Sequence, residues 1–253
     1  MSDYTLLFLK CREKITAVGL LDGLTVTFLR YVIYIASLAL SLIVIHILFK
    51  IPQDIFRKLL HIAAFTSSIY VALTGEGWQM EALTLILFGL LVWPILNLAE
   101  NWSGYRDLFV EKKPGEVKKS LLLLFISQGI FLAVAKGLLG RTYILVASTA
   151  AWGLGDIAAA WIGRPLGRHK ISFKLADHNK SWEGSAAMML VSAVACFISL
   201  TFLTDFALVT RVIVSIIIGA VSSFSEMCSK NGNDTVIVPL ADMAVLAVLS
   251  IWL

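Results

Sequence analysis

One stretch of the sequence, GDIAAAWIGRPLGRHK at residues 155–170, places an acidic residue, several glycines and a basic end close together. Asp156 lies within a long apolar run, about 10 Å before the end of the predicted helix at about 1.5 Å rise per residue. A carboxylate at such a depth in a membrane costs several kcal/mol unless it is paired, metal-bound or hydrated. A functional role for Asp156 is therefore favoured over a structural polar contact.

The same stretch carries small residues at every fourth position: Gly155, Ala159, Gly163 and Gly167. This spacing is also typical of two helices that pack closely, which is the structural alternative. Pro165 predicts that the helix ends near Arg164, which leaves Gly167 in a loop where helix packing does not account for it. A glycine-bearing loop beside Arg164, Arg168 and Lys170 suits a polyphosphate.

A second motif, NKSWEGS at 179–185, predicts the start of a helix. Asn179 or Ser181 can cap it, which puts Lys180 at a helix N-terminus, where free N–H groups and the helix dipole favour anions. Glu183, in the first turn, is either a favourable charge at that terminus or a ligand for metal or nucleotide.

Carboxylates follow in the segment SEMCSKNGNDTVIVP at 225–239. Glu226 and Asp234, together with Asp156, can hold Mg²⁺, which binds to one or two carboxylates plus substrate phosphates. Individually, each is more often an anchor at the membrane surface. Asp242 lies about as deep in its predicted span as Asp156, in a weaker context.

Further basic and acidic residues occur in RKLLH at 57–61 and KKPGEVKKS at 112–120. Arg57 and His61 are four residues apart and share a helix face, which suits either a phosphate clamp beside a proton acceptor or a snorkelling cation. Glu116 is similarly open to both interpretations. The candidate phosphate or lipid contacts are Arg57, Lys58, Glu116 and Lys119.

The elements that position these residues are predicted to be membrane helices. The chain is 58% hydrophobic and 15% charged, against about a quarter charged in soluble domains. About twenty apolar residues span a bilayer. We expect an all-α, polytopic membrane helical bundle in a single domain (1–253), with residues 1–27 containing an interfacial N-terminal helix at 4–25. About eight transmembrane helices are predicted, at 28–49, 56–74, 79–99, 119–138, 142–163, 183–203, 207–226 and 235–253.

Basic residues predict the orientation. The loops after the first, third, fifth and seventh spans hold 14 of the 21 Lys and Arg residues, so this side should be cytosolic. Every motif above falls on that side. The membrane would be the plasma (inner) membrane in a prokaryote or the endoplasmic reticulum in a eukaryote. Nothing indicates a nucleic-acid partner or a zinc site, and a homo-oligomer is left open.

These motifs together resemble a known family. The pattern DxxAxxxGxxxGxxK is met from Asp156 to Lys170, and KSxEG follows from Lys180 to Gly184. This region is similar to the CTP-binding region of the polyprenol kinase family, which comprises dolichol, phytol and farnesol kinases and CTP-dependent diacylglycerol kinases. RKLLH and GNDTVIVPL look like other recurring patches of that family, so the resemblance covers about residues 55–240.

The resemblance implies that CTP, rather than ATP, donates its γ-phosphate to a membrane lipid alcohol at the cytosolic face. It implies Asp156 and His61 as catalytic residues, with Asp156 either binding metal or accepting the alcohol proton. It also implies a Mg²⁺ site of Asp156, Glu226 and Asp234. The nucleotide-binding residues it implies are Gly155, Gly163, Arg164, Gly167, Arg168, Lys170, Lys180, Ser181 and Glu183.

Two alternative functions are also considered. A CTP:phosphatidate cytidylyltransferase, which forms CDP-diacylglycerol, has a similar region, but the SxxKRxxKD pattern of its C-terminal end is absent here. A small membrane transporter is suggested by the likeness of WIGRPLGRHK to a loop of major facilitator proteins. Those proteins have about twelve spans, more than this chain can supply.

Overall fold

The computed structural model describes residues 3–75, 77–101, 105, 115–172, 176, 178, 180–230 and 232–252, with the backbone alone for 3–21 and 54. Within these ranges the regular elements are helices, which confirms the all-α prediction. They are α1 (Asp3–Phe49), α2 (Gln53–Thr74), α3 (Trp78–Ala99), α4 (Glu116–Leu132, extended by a π-helical segment, Ala133–Leu138), α5 (Thr142–Leu166), α6 (Trp182–Leu203), α7 (Leu208–Cys228) and α8 (Asp234–Leu249).

The eight helices of the described ranges follow the eight predicted spans, but only six are long and apolar enough to cross a membrane. The prediction of about eight transmembrane helices is corrected accordingly. The helix α8 has 16 residues, which is short for a span. The helix α2 begins with polar and charged residues, including Arg57, Lys58 and His61.

The first helix is continuous from Asp3 to Phe49, with no break between the N-terminal stretch and the first predicted span. Its 47 residues extend about 70 Å at 1.5 Å per residue, more than twice the hydrocarbon thickness of a bilayer. The helix therefore extends beyond the membrane core. An interfacial position for residues 4–25 stays a prediction.

Small residues bring α5, α6 and α7 close together. A Cβ on Gly155 would lie 2.2 Å from Ser192 Oγ of α6, so only glycine fits there. Ser192 Oγ also donates to the carbonyl of Ala151 at 2.8 Å. In the next contact, a Cβ on Gly219 of α7 would lie 2.4 Å from the Met189 carbonyl. Close packing therefore explains Gly155, in line with the structural alternative.

The end of α5 differs from the prediction. The helix continues through Pro165 to Leu166, and the Gly167 N–H donates to the Gly163 carbonyl at 3.1 Å. A Cβ on Gly167 would lie 2.1 Å from that carbonyl oxygen and 2.5 Å from Ser181 Oγ. The predicted helix end near Arg164 is therefore wrong, and packing against the start of α6 does account for Gly167.

The segment between α5 and α6 is closed by backbone pairing. The Ile171 N–H donates to the Lys180 carbonyl at 3.1 Å, and the Trp182 N–H donates to the His169 carbonyl at 3.0 Å. Ile171 is buried in a small cluster with Met227 of α7. This pairing sets Lys170 beside the start of α6, although the sequence separates Lys170 from Lys180 by ten positions.

Candidate active site

Six helix ends meet around a cavity of about 570 Å³ at one end of the bundle. They are the N-terminal ends of α2, α4, α6 and α8 and the C-terminal ends of α5 and α7. The N-terminal ends carry partial positive charge, which favours an anion. The lining includes five basic side chains (Arg57, Lys58, Arg164, Lys170 and Lys180) and four carboxylates (Glu116, Asp156, Glu226 and Asp234).

Asp156 is paired across the cavity floor with α2. Lys58 Nζ donates to Asp156 Oδ2 at 2.5 Å. The side chains of Lys58 and Asp156 are 14% and 15% exposed, respectively. His61 Nε2 lies 3.9 Å from the same oxygen. The predicted catalytic pair of Asp156 and His61 is thus brought together, with Lys58 as an added partner.

The imidazole of His61 has an unsatisfied atom beside this carboxylate. Among the residues that the structure describes, its buried Nε2 has no hydrogen-bond partner. The ring packs edge-on against Trp152 of α5, with ring centroids 5.0 Å apart. A buried polar atom without a partner is costly, so His61 Nε2 marks a position that a ligand's polar atom can complete.

A second ion pair, between Lys180 and Glu226, links the start of α6 to the end of α7 at the cavity. Lys180 Nζ lies 2.7 Å from Glu226 Oε1 and also donates to the Glu226 carbonyl. Both Glu226 and Asp234 interact electrostatically with Asp156. Within the described part of the chain, no three side chains are grouped closely enough to hold a metal ion by themselves.

This arrangement fits a hard cation that arrives with a phosphate ligand. Mg²⁺ takes one or two carboxylates and completes its coordination with phosphate oxygens and water, so a closed protein cage is not required. Asp156, Glu226 and Asp234 line the same cavity and supply carboxylate oxygens to it, as does Glu116. The predicted Mg²⁺ site stays a prediction that the donor set allows.

The start of α6 is capped as the sequence indicates. Ser181 is the N-cap, and its Oγ accepts from the Gly184 N–H at 3.2 Å. Glu183 binds His169, with Oε1 2.6 Å from Nδ1 and 3.2 Å from the backbone N–H. Glu183 therefore holds the segment between α5 and α6. Asn179 lies outside the described residues.

The structure distributes the remaining predicted residues as follows. Gly163, Ser181 and Lys170 line the cavity, and Arg164 does so at its rim. Five predicted contacts lie outside its lining: Gly155, Gly167, Arg168, Glu183 and Lys119. Asp242 is fully buried outside this cavity, where Ser222 Oγ donates to its Oδ2 at 2.6 Å.

Two serines of the lining, Ser185 and Ser229, were not predicted from the sequence. A signal was present for Ser185, because it lies four residues after Ser181 and so shares its helix face. Ser229 follows the end of α7 and carries no distinguishing pattern.

A smaller cavity of about 230 Å³ adjoins the first. The two share six lining residues: Arg57, Lys58, Glu116, Asp156, Gly232 and Asp234. Beyond these, the smaller cavity is mostly apolar, with walls that include Leu60, Val117, Leu121, Leu124 and Trp152. A charged cavity and an apolar one therefore meet at the Lys58–Asp156 pair.

Over 215 residues, the chain is 28% identical to a phytol kinase from Synechocystis sp.. The match covers 82% of this chain and 84% of that protein. The resemblance to the polyprenol kinase family is confirmed. No family model matches the chain, and no solved structure matches it.

Proposed function

We propose that this protein is a CTP-dependent lipid kinase that transfers the γ-phosphate of CTP to the hydroxyl of a membrane lipid alcohol of the phytol type. The observation that carries this proposal is the junction of a basic, polar cavity with an apolar one at Asp156. The similarity to a phytol kinase supports both the reaction and the class of acceptor.

The charged cavity suits the triphosphate. Phosphoryl transfer depends on positioning and charge neutralisation more than on covalent groups. Lys170, Lys180 and Arg164 would bind phosphate oxygens, and the hydroxyls of Ser181 and Ser185 can donate to them. Mg²⁺, bound by the carboxylates together with the phosphates, would supply further charge neutralisation.

The reacting hydroxyl would lie between Asp156 and His61. Its oxygen forms a bond to the γ-phosphorus as the bond from that phosphorus to the bridging β–γ oxygen breaks, which releases CDP. Asp156 accepts the hydroxyl proton, and Lys58 keeps that carboxylate oriented at 2.5 Å. His61 Nε2–H would donate a hydrogen bond to the oxygen of this hydroxyl, which would satisfy a ring nitrogen that has no partner among the described residues.

Label tracing tests the reaction class. The purified protein in detergent, with Mg²⁺ and either phytol or phosphatidate, is given CTP labelled at the γ- or the α-phosphate. We expect the γ-label in a lipid monophosphate and the α-label in CDP. Release of labelled pyrophosphate from γ-labelled CTP, with α-label in the lipid, would instead identify a cytidylyltransferase. Parallel reactions with ATP test the donor.

A further inference from the structure

We infer that the apolar cavity is the acceptor subsite and that one face of α4 is its wall, built from Val117, Leu121 and Leu124. This inference rests on the proposed function. It assigns the residues that contact the first carbons of the lipid chain, and it predicts an acceptor with a single chain at its hydroxyl end.

The side chains of α4 that line this cavity change from polar to apolar along the helix. Residues 116, 117, 120, 121 and 124 line the cavity, and their spacing places them on one helical face. Glu116 and Ser120 are polar and lie toward the start of α4, whereas Leu121 and Leu124 are apolar and lie deeper. The apolar part of this face can therefore contact the first carbons of a lipid chain.

The cavity extends into the buried part of the bundle. Two of its lining residues, Trp152 and Leu124, are only 1% and 2% exposed. Asp156 and His61 also line it, so a hydroxyl can reach the carboxylate from within this cavity. Apolar walls beside a charged group orient an amphipathic ligand in one direction only.

The cavity reaches the outer surface of α4 at Ser120, which lines it and is itself exposed. Leu123, on the adjacent outer face, is 38% exposed and does not line the cavity. In a membrane this face of α4 meets lipid. The acceptor can therefore enter sideways from the bilayer while the nucleotide occupies the charged cavity.

The dimensions favour a single chain. The cavity holds about 230 Å³, and its boundary with the larger cavity consists mainly of charged side chains, among them Arg57, Lys58 and Asp234. The second acyl chain of a diacylglycerol would have to lie among those charges, and the loss of their solvation is costly. A prenol presents one chain and avoids this cost.

The test compares two tryptophan substitutions on α4. Leu121→Trp fills the cavity, and we expect the KM for phytol to rise about tenfold or more while the KM for CTP stays within about twofold. The matched control, Leu123→Trp, places the same ring on the outer face and should leave both constants within about twofold. Equal effects of the two variants on the phytol KM would overturn the subsite.

Two further measurements separate the possible failures. Leu121→Ala removes contacts without adding bulk, so it should fold and should raise the KM for phytol several-fold at an unchanged KM for CTP. Wild-type protein should phosphorylate phytol in preference to diacylglycerol. Wild-type protein without any kinase activity would contradict the proposed function, whereas an active protein that prefers diacylglycerol would contradict this inference alone.

Discussion

At the residue scale, the candidate site consists of two lysine–carboxylate pairs that face one cavity. Lys58 pairs with Asp156, and Lys180 pairs with Glu226. Each pair sets a lysine against a largely buried carboxylate, so removal of one partner leaves the other uncompensated. A bound triphosphate would offer Lys180 a new partner and would leave Glu226 available to Mg²⁺, while Lys58 stays with Asp156.

The pair of Lys180 and Glu226 gives a prediction at this scale. We expect Lys180→Ala to raise the Kd for CTP at least about tenfold, since a charged contact to phosphate is lost, and to lower the melting temperature. Adding Glu226→Ala should restore much of the stability but not the CTP affinity. Lys230→Ala, an exposed lysine outside the cavity, is the control.

Recovery of CTP affinity in the double variant would show that Lys180 has only a structural role. Isothermal titration with CTP and Mg²⁺, combined with thermal unfolding in detergent, measures both quantities on the same samples.

At the element scale, the site depends on the seam between α5 and α6. Gly163 of α5 lies against Gly184 of α6, and Gly167 lies against Ser181. These contacts bring the end of one helix and the start of the next within reach of the same ligand. The hydroxyl of Ser223 of α7 adds a third helix by donating to the Ser185 carbonyl at 2.8 Å.

Gly163 and Gly167, at the end of α5, are expected to differ in how well they tolerate substitution by alanine. A Cβ on Gly167 would approach a carbonyl oxygen to 2.1 Å, so Gly167→Ala should cost about 1–3 kcal/mol of stability as the backbone shifts. A Cβ on Gly163 would lie no closer than 3.2 Å to its neighbours, so Gly163→Ala should be milder. Denaturant unfolding in detergent measures both, and an equal or reversed order would contradict this packing.

Much of the fold could be predicted from apolar runs: the helices from α2 to α8 in the described ranges lie within a few residues of the predicted spans, whereas α1 begins at Asp3, well before the predicted span 28–49. The pairing of Lys58 with Asp156 could not be predicted from the sequence, because 98 positions separate the two residues and only the fold brings them together. The same holds for Lys180 and Glu226, which are 46 positions apart. The first turns of α2 line the cavity and carry charged residues, which is why α2 is less apolar than the other helices.

At the scale of the whole molecule, the polar residues that line the candidate site gather at one end of the bundle. The larger cavity is lined by helix ends that belong to this end alone. Most lysines and arginines of the chain fall in the loops on the same side. The distribution of basic residues favours a cytosolic position for this end, where CTP is supplied.

This orientation predicts the reactivity of introduced cysteines. In a background without native cysteines, Lys230→Cys at the cavity end and Leu138→Cys at the far end of α4 place exposed thiols at opposite ends of the bundle. A membrane-impermeant maleimide should label Lys230→Cys only in inverted vesicles and Leu138→Cys only in right-side-out vesicles. The opposite labelling would contradict a cytosolic site.

In the proposed mechanism, Asp156 accepts the hydroxyl proton at the junction of the two cavities. The most direct measurement is single-turnover phosphorylation of phytol by wild-type protein and Asp156→Asn, with bound CTP and thermal unfolding recorded on the same samples. The substitution keeps the side-chain shape but removes the charge that accepts a proton. We predict that Asp156→Asn still folds and binds CTP, while the transfer rate falls at least about 100-fold. A folded, CTP-bound Asp156→Asn protein whose transfer rate stays within about threefold of the wild type would contradict the role of Asp156 as proton acceptor.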